Sequence, residues 1–208
     1  MGNLLVIDHP IEGRESFFLG RLLSFLYHKE GMQPDVRSYL KLEGVDPSDY
    51  MAVISASGSC VIRGNEQLKG ENGLTDICEK EGIPTLYLSH GAQIMAVHLW
   101  GDDAIREAQS PRKGIHLDYE FAGNADPILM GVDIGNLASK EFHNYDIPGV
   151  SGSHRPLLLD PNGNVILAGH TDPSNASYLM QMHPEYAPKP EEKVNSAQLL
   201  TNFINLVK

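Results

Sequence analysis

Cysteine is scarce in this sequence, and the cysteines that occur follow no recognisable pattern. Cys60 and Cys78 are the only two among 208 residues, so neither a disulfide framework nor a paired-cysteine zinc site can be built from them. Cys60 follows a predicted strand and Cys78 lies in a predicted helix. We interpret both as structural thiols of a reducing compartment.

Basic residues and long apolar runs are also few. Lys and Arg number 16 against 27 Asp and Glu, and the formal net charge is −11. Such a chain repels nucleic-acid phosphates, which argues against a nucleic-acid partner. No apolar run approaches the roughly 18 residues that a membrane helix needs, and the chain enters a predicted strand at once. We therefore expect a cytoplasmic protein with no membrane segment.

The common metal and nucleotide motifs are missing too. The nine histidines form neither an HExxH motif nor a cysteine–histidine ladder. The glycine-rich patterns GxxxxGK(S/T) and GxGxxG do not occur. We therefore expect no metal and no cofactor.

The sequence does contain an alternation of apolar strands and amphipathic helices. Its length suits a single domain over residues 1–208. Short connections between alternating elements predict an α/β fold with a doubly wound, mostly parallel sheet flanked by helices. Strands are predicted at 3–9, 33–40, 50–56 and 85–88, and helices at 14–29, 74–80 and 91–100.

In such a sheet the functional site lies beyond the carboxyl ends of the strands. That edge collects His9, the loop Ser57-Gly58-Ser59, and Ser89. Glycine permits a turn that aims backbone N–H groups outward, although an ordinary loop would have the same composition. On its own, His9 is interpreted as a strand-end histidine in a loop.

The second half of the chain has a different sequence pattern, with few helical periodicities over residues 102–160. Short strand-like pieces at 115–117 and 127–130 alternate with Gly, Asn and Asp. Residues 160–164 predict a hairpin turn between strands at 157–159 and 165–168. A strand at 176–182 then returns to the main sheet, and a helix over 193–207 closes the chain.

The stretch from Ile83 to Gly101 holds the first candidate catalytic residue. An apolar strand runs into Ser89, and helical spacing begins at Gly91. This pattern is typical of a nucleophile elbow, which presents one side chain at the carboxyl edge of a sheet, next to the N-terminus of a helix. Tyr87 occupies the place of the elbow's usual first glycine, and a tight connection without function would look similar.

A candidate base follows about ninety residues later. His183 and Glu185 come directly after an apolar strand, with Pro184 stiffening the chain between them. A histidine beside a carboxylate suits a general base that an acid orients and polarises. Taken alone, the pair also fits a surface histidine and glutamate at the end of a strand.

Together, the two stretches resemble the class I glutamine amidotransferase domain. That family combines a strand–Cys-x-Gly-x-Gln–helix elbow with a later Gln-Phe-His-Pro-Glu segment. Further similar segments are the first strand (4–8), the oxyanion strand (53–59), a His-x-x-Asp segment (142–146) and the terminal helix (199–204), so the resemblance covers nearly the whole chain. It implies a small antiparallel excursion in the second half. The matching motif residues are Ser89, Gly91, Gln93, Gln181, Met182, His183, Pro184 and Glu185.

The resemblance also implies a role for each candidate residue. His183 would activate the nucleophile and later protonate the departing ammonia, and Glu185 would orient His183 and stabilise its cation. The main-chain N–H groups of Gly58 and His90 would hold the oxyanion, and Gln93 would contact the substrate. The implied reaction is hydrolysis of the γ-amide of glutamine to glutamate and ammonia, with the ammonia delivered to a separate synthetase partner.

Ser89 departs from the family, whose nucleophile is cysteine. A thiol beside a histidine ionises readily because its free pKa is about 8.5, whereas a serine hydroxyl must lose its proton to His183 as it attacks. The replacement is either natural, giving a degenerate or repurposed site, or engineered. Two other interpretations stay open: a stand-alone γ-glutamyl amide hydrolase with a Ser89–His183–Glu185 triad, and a catalytically inactive regulatory subunit.

Overall fold

A mixed eight-stranded sheet forms the centre of the computed structural model, which describes residues 3–10, 17–58, 60, 62, 64–172, 174–186 and 195–208. The strands are β1 (Asn3–His9), β2 (Asp35–Ser38), β3 (Tyr50–Gly58), β4 (Thr85–Leu88), β5 (Arg106–His116), β6 (Glu120–Phe121), β7 (Ser139–Asp146), β8 (His154–Leu159), β9 (Val165–His170) and β10 (Ser177–Met180). The helices are α1 (Phe17–His28), α2 (Lys69–Glu81), α3 (His90–Trp100) and α4 (Ala197–Val207).

The strand order confirms the predicted α/β fold. The order is β2-β1-β3-β4-β10-β9-β8-β6, and a separate two-stranded sheet pairs β5 with β7. Strands β2, β1, β3, β4 and β10 pair in parallel, and β9, β8 and β6 continue the sheet antiparallel. The separate β5–β7 sheet, which is antiparallel, together with β6 and β8 at the edge of the main sheet, forms the predicted antiparallel excursion of the second half.

Helices cover both faces of the parallel half. Along β1, Leu4 and Val6 pack with apolar residues of α1 and α4. Leu5 and Ile7 point to the other face and pack with residues of α2 and α3. A strand buried on both faces reads as a continuous apolar run, and the run in β1 reflects this double burial.

Several predicted boundaries shift for local reasons. The predicted strand at 33–40 is shorter, because the Ser38 side chain accepts a hydrogen bond from the N–H of Leu40 and starts a 3₁₀ helix at Tyr39–Lys41. Helix α2 begins at Lys69 and not near Leu74, so its glycines lie inside the helix. The predicted helix starts at Arg14 and Lys193 fall outside the residues that the structure describes.

The second half follows the expected hairpin but not every expected strand. Strands β8 and β9 pair antiparallel around the predicted turn, where the Asp160 carboxylate accepts from the N–H groups of Asn162 and Asn164. The piece at 127–130 was predicted as a strand, and that prediction is wrong. Residues Pro127–Leu129 form a 3₁₀ helix, since the Asp126 side chain caps it by accepting from the Ile128 N–H. Within the described part of the chain, none of the helices has the length and apolar character required to cross a membrane.

Candidate active site

Ser89 lies at a sharp bend between β4 and α3. Its backbone has φ 47° and ψ −100°, and it is the only non-glycine residue with positive φ among those described. The Ser89 N–H donates to the carbonyl oxygen of Met180 at 2.6 Å, which ties the bend to the end of β10. A strained backbone that the surrounding structure enforces is typical of functional positions. The sharp strand–bend–helix geometry that the sequence predicts at Ser89, here called the elbow, is therefore present in the fold.

A close approach between α3 and β3 explains the glycine that follows the elbow. A Cβ atom added to Gly91 would lie 2.6 Å from the Ser55 carbonyl oxygen and would also meet the Ser55 hydroxyl. Any larger residue would force the helix away from the sheet. Gly91 therefore lets the N-terminus of α3 start directly above β3.

His183 and Glu185 form a buried pair at the end of β10. His183 Nδ1 donates to Glu185 Oε1 at 2.9 Å, and both side chains are at most 2% exposed. The Phe18 ring stacks on the imidazole with 3.7 Å between centroids, and the His183 N–H donates to the Lys140 carbonyl oxygen at 2.9 Å. The alternative interpretation as a surface pair is wrong, because both groups lie in the interior.

The other imidazole nitrogen is left available for chemistry. His183 Nε2 is buried and has no hydrogen-bond partner within the described residues. It therefore makes no hydrogen bond to the Ser89 hydroxyl. Because Glu185 holds Nδ1, Nε2 is the nitrogen that can exchange a proton with a substrate or nucleophile. Catalytic hydrogen bonds are often long in the free enzyme and tighten only with substrate bound.

Ser57 is a residue of this site to which the sequence assigned no role of its own. Its hydroxyl donates to Glu185 Oε1 at 3.3 Å and lies 3.2 Å from His183 Nδ1. The contact joins β3 to the His183–Glu185 pair across 126 positions of sequence. No local sequence pattern predicts this contact, because only the fold brings Ser57 next to His183 and Glu185.

The predicted oxyanion residues, Gly58 and His90, lie at the boundaries of neighbouring elements. Gly58 is the last residue of β3, and His90 is the first residue of α3, where helical N–H groups have no acceptor within the helix. The His90 ring contacts the Cys60 sulfur at 3.3 Å. Burial lowers the pKa of His90 to about 4 and raises the pKa of Cys60 to about 12, so both are neutral. Ser59 lies outside the described residues.

Gln93 extends from the first turn of α3 toward two strands. Its side-chain amide donates to the Tyr145 carbonyl oxygen at 3.2 Å and to Gln181 Oε1 at 3.4 Å. The residue is 4% exposed. Its predicted contact with the substrate stays a prediction, and the structure shows that it links α3 with β7 and with the end of β10.

The interpretation of His9 as a strand-end histidine in a loop is wrong. His9 is the last residue of β1. It is fully buried, and its Nε2 donates to the Glu71 carboxylate at 2.7 Å. Glu71 comes from α2 and is itself 1% exposed. The sequence could not pair these residues, because they are 62 positions apart.

A metal centre is not visible among the residues described, since no group of three or more His, Cys, Asp or Glu side chains is placed to hold an ion. What the geometry offers is an elbow serine, a histidine–carboxylate pair and backbone N–H groups at one edge of the sheet. Those are the components of acyl transfer through a covalent intermediate.

No protein-family model and no curated protein sequence matches this chain. Solved structures do match. A Thermoplasma acidophilum protein named as part of a GMP synthase has a TM-score of 0.75 at 18% identity, covering 100% of this chain and 94% of that chain. A glutamine amidotransferase from Thermotoga maritima has a TM-score of 0.67 at 17% identity, covering 98% and 81%.

A third similar structure is the glutaminase domain of Trypanosoma brucei CTPS with bound acivicin. Its TM-score is 0.73 at 12% identity, covering 100% of this chain and 94% of that chain. Identities this low establish a common architecture and nothing finer. The chain therefore has the fold seen in glutamine amidotransferase structures.

Proposed function

We propose that this protein is an amide hydrolase of the glutamine amidotransferase type, with Ser89 at the position of the nucleophile. The observation that carries the proposal is the meeting of two features at one sheet edge. One is the strained Ser89 elbow, and the other is the buried His183–Glu185 pair with Nε2 unengaged among the described residues. The shared fold of the glutamine amidotransferase structures supports it.

In the proposed reaction, the Ser89 hydroxyl attacks the γ-carboxamide carbon while its proton moves to His183 Nε2. Glu185 stabilises the imidazolium, and the N–H groups of Gly58 and His90 hold the oxyanion. His183 then protonates the departing ammonia, and water hydrolyses the acyl-enzyme to glutamate. Gln93 would orient the substrate at this edge.

Serine makes the first step harder than cysteine would. A hydroxyl cannot ionise near neutral pH, so its proton must leave during the attack. Because a thiol has a free pKa of about 8.5, a cysteine at this position could enter the reaction as a thiolate. Ser89 thus slows or blocks a site whose other parts remain in place.

Glutamine or a γ-glutamyl compound is the proposed substrate. The similar structures include a glutaminase domain and a protein named as part of a synthase. We accordingly propose that the ammonia is delivered to a separate synthetase partner. The second candidate is a stand-alone γ-glutamyl amide hydrolase, which would hydrolyse γ-glutamyl amides without any partner.

The test is glutamate release from glutamine by the present chain and by its Ser89→Cys variant. We expect the cysteine form to be at least about 10²-fold faster, because a thiolate attacks without the general-base step that the Ser89 hydroxyl needs, and such a step is typically worth that much or more. Ser89→Ala should be inactive, and Glu185→Gln in the cysteine form should lose most of the gain. Mass spectrometry with an electrophilic glutamine analogue should find the label on residue 89.

The outcomes separate the alternatives. Turnover of γ-glutamyl amides by the serine form alone would favour the stand-alone hydrolase. If neither form reacts with glutamine, with γ-glutamyl amides or with the electrophile, the proposal is wrong and a non-catalytic, regulatory role becomes the better account.

A further inference from the structure

The end of β3 contains a bulge beside the candidate site. The parallel ladder between β1 and β3 pairs Ile7 with Ser55, but the next pair is His9 with Gly58. One extra residue therefore lies on β3 between these two pairs. Bulges of this kind turn a strand and re-aim its side chains, and they are common beside active sites.

His9 supplies a hydrogen bond inside this bulge. Its Nδ1 donates to the Ala56 carbonyl oxygen at 2.8 Å, and its Nε2 donates to Glu71 at 2.7 Å. With both ring nitrogens donating, the imidazole carries a positive charge. Burial opposes that charge, but the charge of Glu71, the hydrogen bonds to Glu71 and Ala56, and the charge of Asp8 together outweigh burial and raise the pKa of His9 above its usual value.

Glu71 also connects His9 to Ser55, the β3 residue that lies beneath the start of α3. Its second oxygen accepts from the Ser55 hydroxyl at 2.7 Å, and Ser55 is the residue against which Gly91 packs. Burial opposes ionisation of Glu71, but the charge of His9 and the hydrogen bonds from His9 and Ser55 act together against burial, and the pKa of the carboxyl group is lowered. The carboxylate thus joins α2 to β1 and β3.

We infer that His9, held by Glu71, is a positioning residue that fixes the β3 bulge and so places Ser57 and Gly58 in the site. The inference rests on the proposed function. The Ala56–Ser57 peptide is the one that His9 anchors, and the Ser57 hydroxyl contacts both His183 and Glu185.

Gly58 depends on His9 directly. A Cβ atom added to Gly58 would lie 2.6 Å from the His9 carbonyl oxygen and would meet the His9 side chain. The backbone of the proposed oxyanion donor therefore rests against His9. A displaced bulge would misalign the Gly58 N–H and loosen the His183–Glu185 pair at the same time.

The experiment compares two double variants in the Ser89→Cys background. In His9→Asn with Glu71→Gln, the asparagine amide nitrogen takes the place of Nδ1 and can still donate to Ala56. In His9→Gln with Glu71→Gln, the glutamine amide reaches residue 71 instead and the Ala56 bond is lost. The charge is the same in both, so the two variants differ in which hydrogen bond survives.

We expect the asparagine variant to keep kcat within about fivefold and the glutamine variant to lose about 10²-fold, the scale of one misplaced oxyanion donor. KM should change little in either. The second readout is the NMR amide signals and hydrogen exchange of Ser57 and Gly58, which should shift in the glutamine variant only. Thermal unfolding of both variants reports the general loss of stability.

Equal losses of kcat in the two variants, or unchanged Ser57 and Gly58 amides in both, would overturn the positioning role. If the Ser89→Cys protein shows no turnover at all, the proposed function fails, and the amide signals of Ser57 and Gly58 alone test the positioning role of His9. In that case a shift confined to the glutamine variant still supports His9 as the residue that holds the bulge.

Discussion

At the scale of single residues, the backbone of Ser89 is strained. A non-glycine residue with φ of 47° typically costs about 1–3 kcal/mol and persists only where neighbouring contacts enforce it. Here the enforcing contacts are the hydrogen bond to Met180 and the packing of α3 over β3. The fold therefore holds the proposed nucleophile, Ser89, in a conformation that the free chain would avoid.

Ser89→Gly should relieve this strain. Because glycine adopts positive φ freely, we expect the variant to be about 1 kcal/mol more stable than the parent in urea unfolding. Ser89→Ala is the matched control, since it removes the same hydroxyl but keeps the Cβ atom. If the alanine variant gained as much as the glycine variant, backbone strain at position 89 would not be the cause.

At the scale of elements, the seating of α3 on β3 decides where the elbow points. Gly91→Ala would push a methyl group against the Ser55 carbonyl oxygen. We expect a loss of about 1–3 kcal/mol in the free energy of unfolding, the usual cost of overpacking. Because the helix start would shift, activity of the Ser89→Cys form should fall as well.

Gly73 offers the control for that variant. It also lies in a helix, α2, but a Cβ atom there meets nothing within 4 Å. Gly73→Ala should therefore stabilise the protein by about 0.5–1 kcal/mol through helix propensity. Destabilisation of similar size in both variants would contradict the assignment of the Gly91 effect to its contact with β3.

At the scale of the whole molecule, buried neutral histidines make stability depend on pH. Burial, as the largest cause, lowers the pKa of His90, His143 and His154 to about 4. The unfolded chain, with histidine pKa near 6.5, takes up protons between pH 6.5 and 4 that the folded chain does not. The free energy of unfolding should therefore fall as pH is lowered through this window.

The raised pKa of His9 acts in the opposite sense and at higher pH. Its stabilising contribution is fully present below pH 6.5 and is lost as pH rises through its folded value. The acid-side slope therefore belongs to the three neutral histidines together with any carboxylates that titrate there. A single variant can isolate one of the three.

His154→Gln is that variant, because His154 lies near Ser177 and Trp100, away from the elbow. Glutamine keeps a donor near Nε2 but cannot take up a proton. We expect it to reduce the fall in unfolding free energy between pH 6 and pH 5 by about 1 kcal/mol. Urea unfolding at both pH values measures it, and an unchanged slope would show that His154 titrates normally.

Features that depend on neighbouring residues could be predicted from the amino-acid sequence alone. Apolar runs placed β1 and β4 at the bounds found in the structure, and the change of spacing at Ser89 located the elbow. The hairpin of β8 and β9 and the short segment from His183 to Glu185 were likewise predictable. Strand propensity, turn chemistry and helical spacing are local properties, so a single sequence carries them.

The assembly of these parts into a site depends on contacts that exist only in the folded chain. The Ser57 contact with His183 spans 126 positions, and the bonds from His9 to Glu71 and Ala56 span 62 and 47. The β3 bulge depends on the register against β1, which no pattern within β3 specifies. Burial changed His9 from an expected loop residue into a charged partner of Glu71, because the free energy of burying a charge depends on what else is brought beside it.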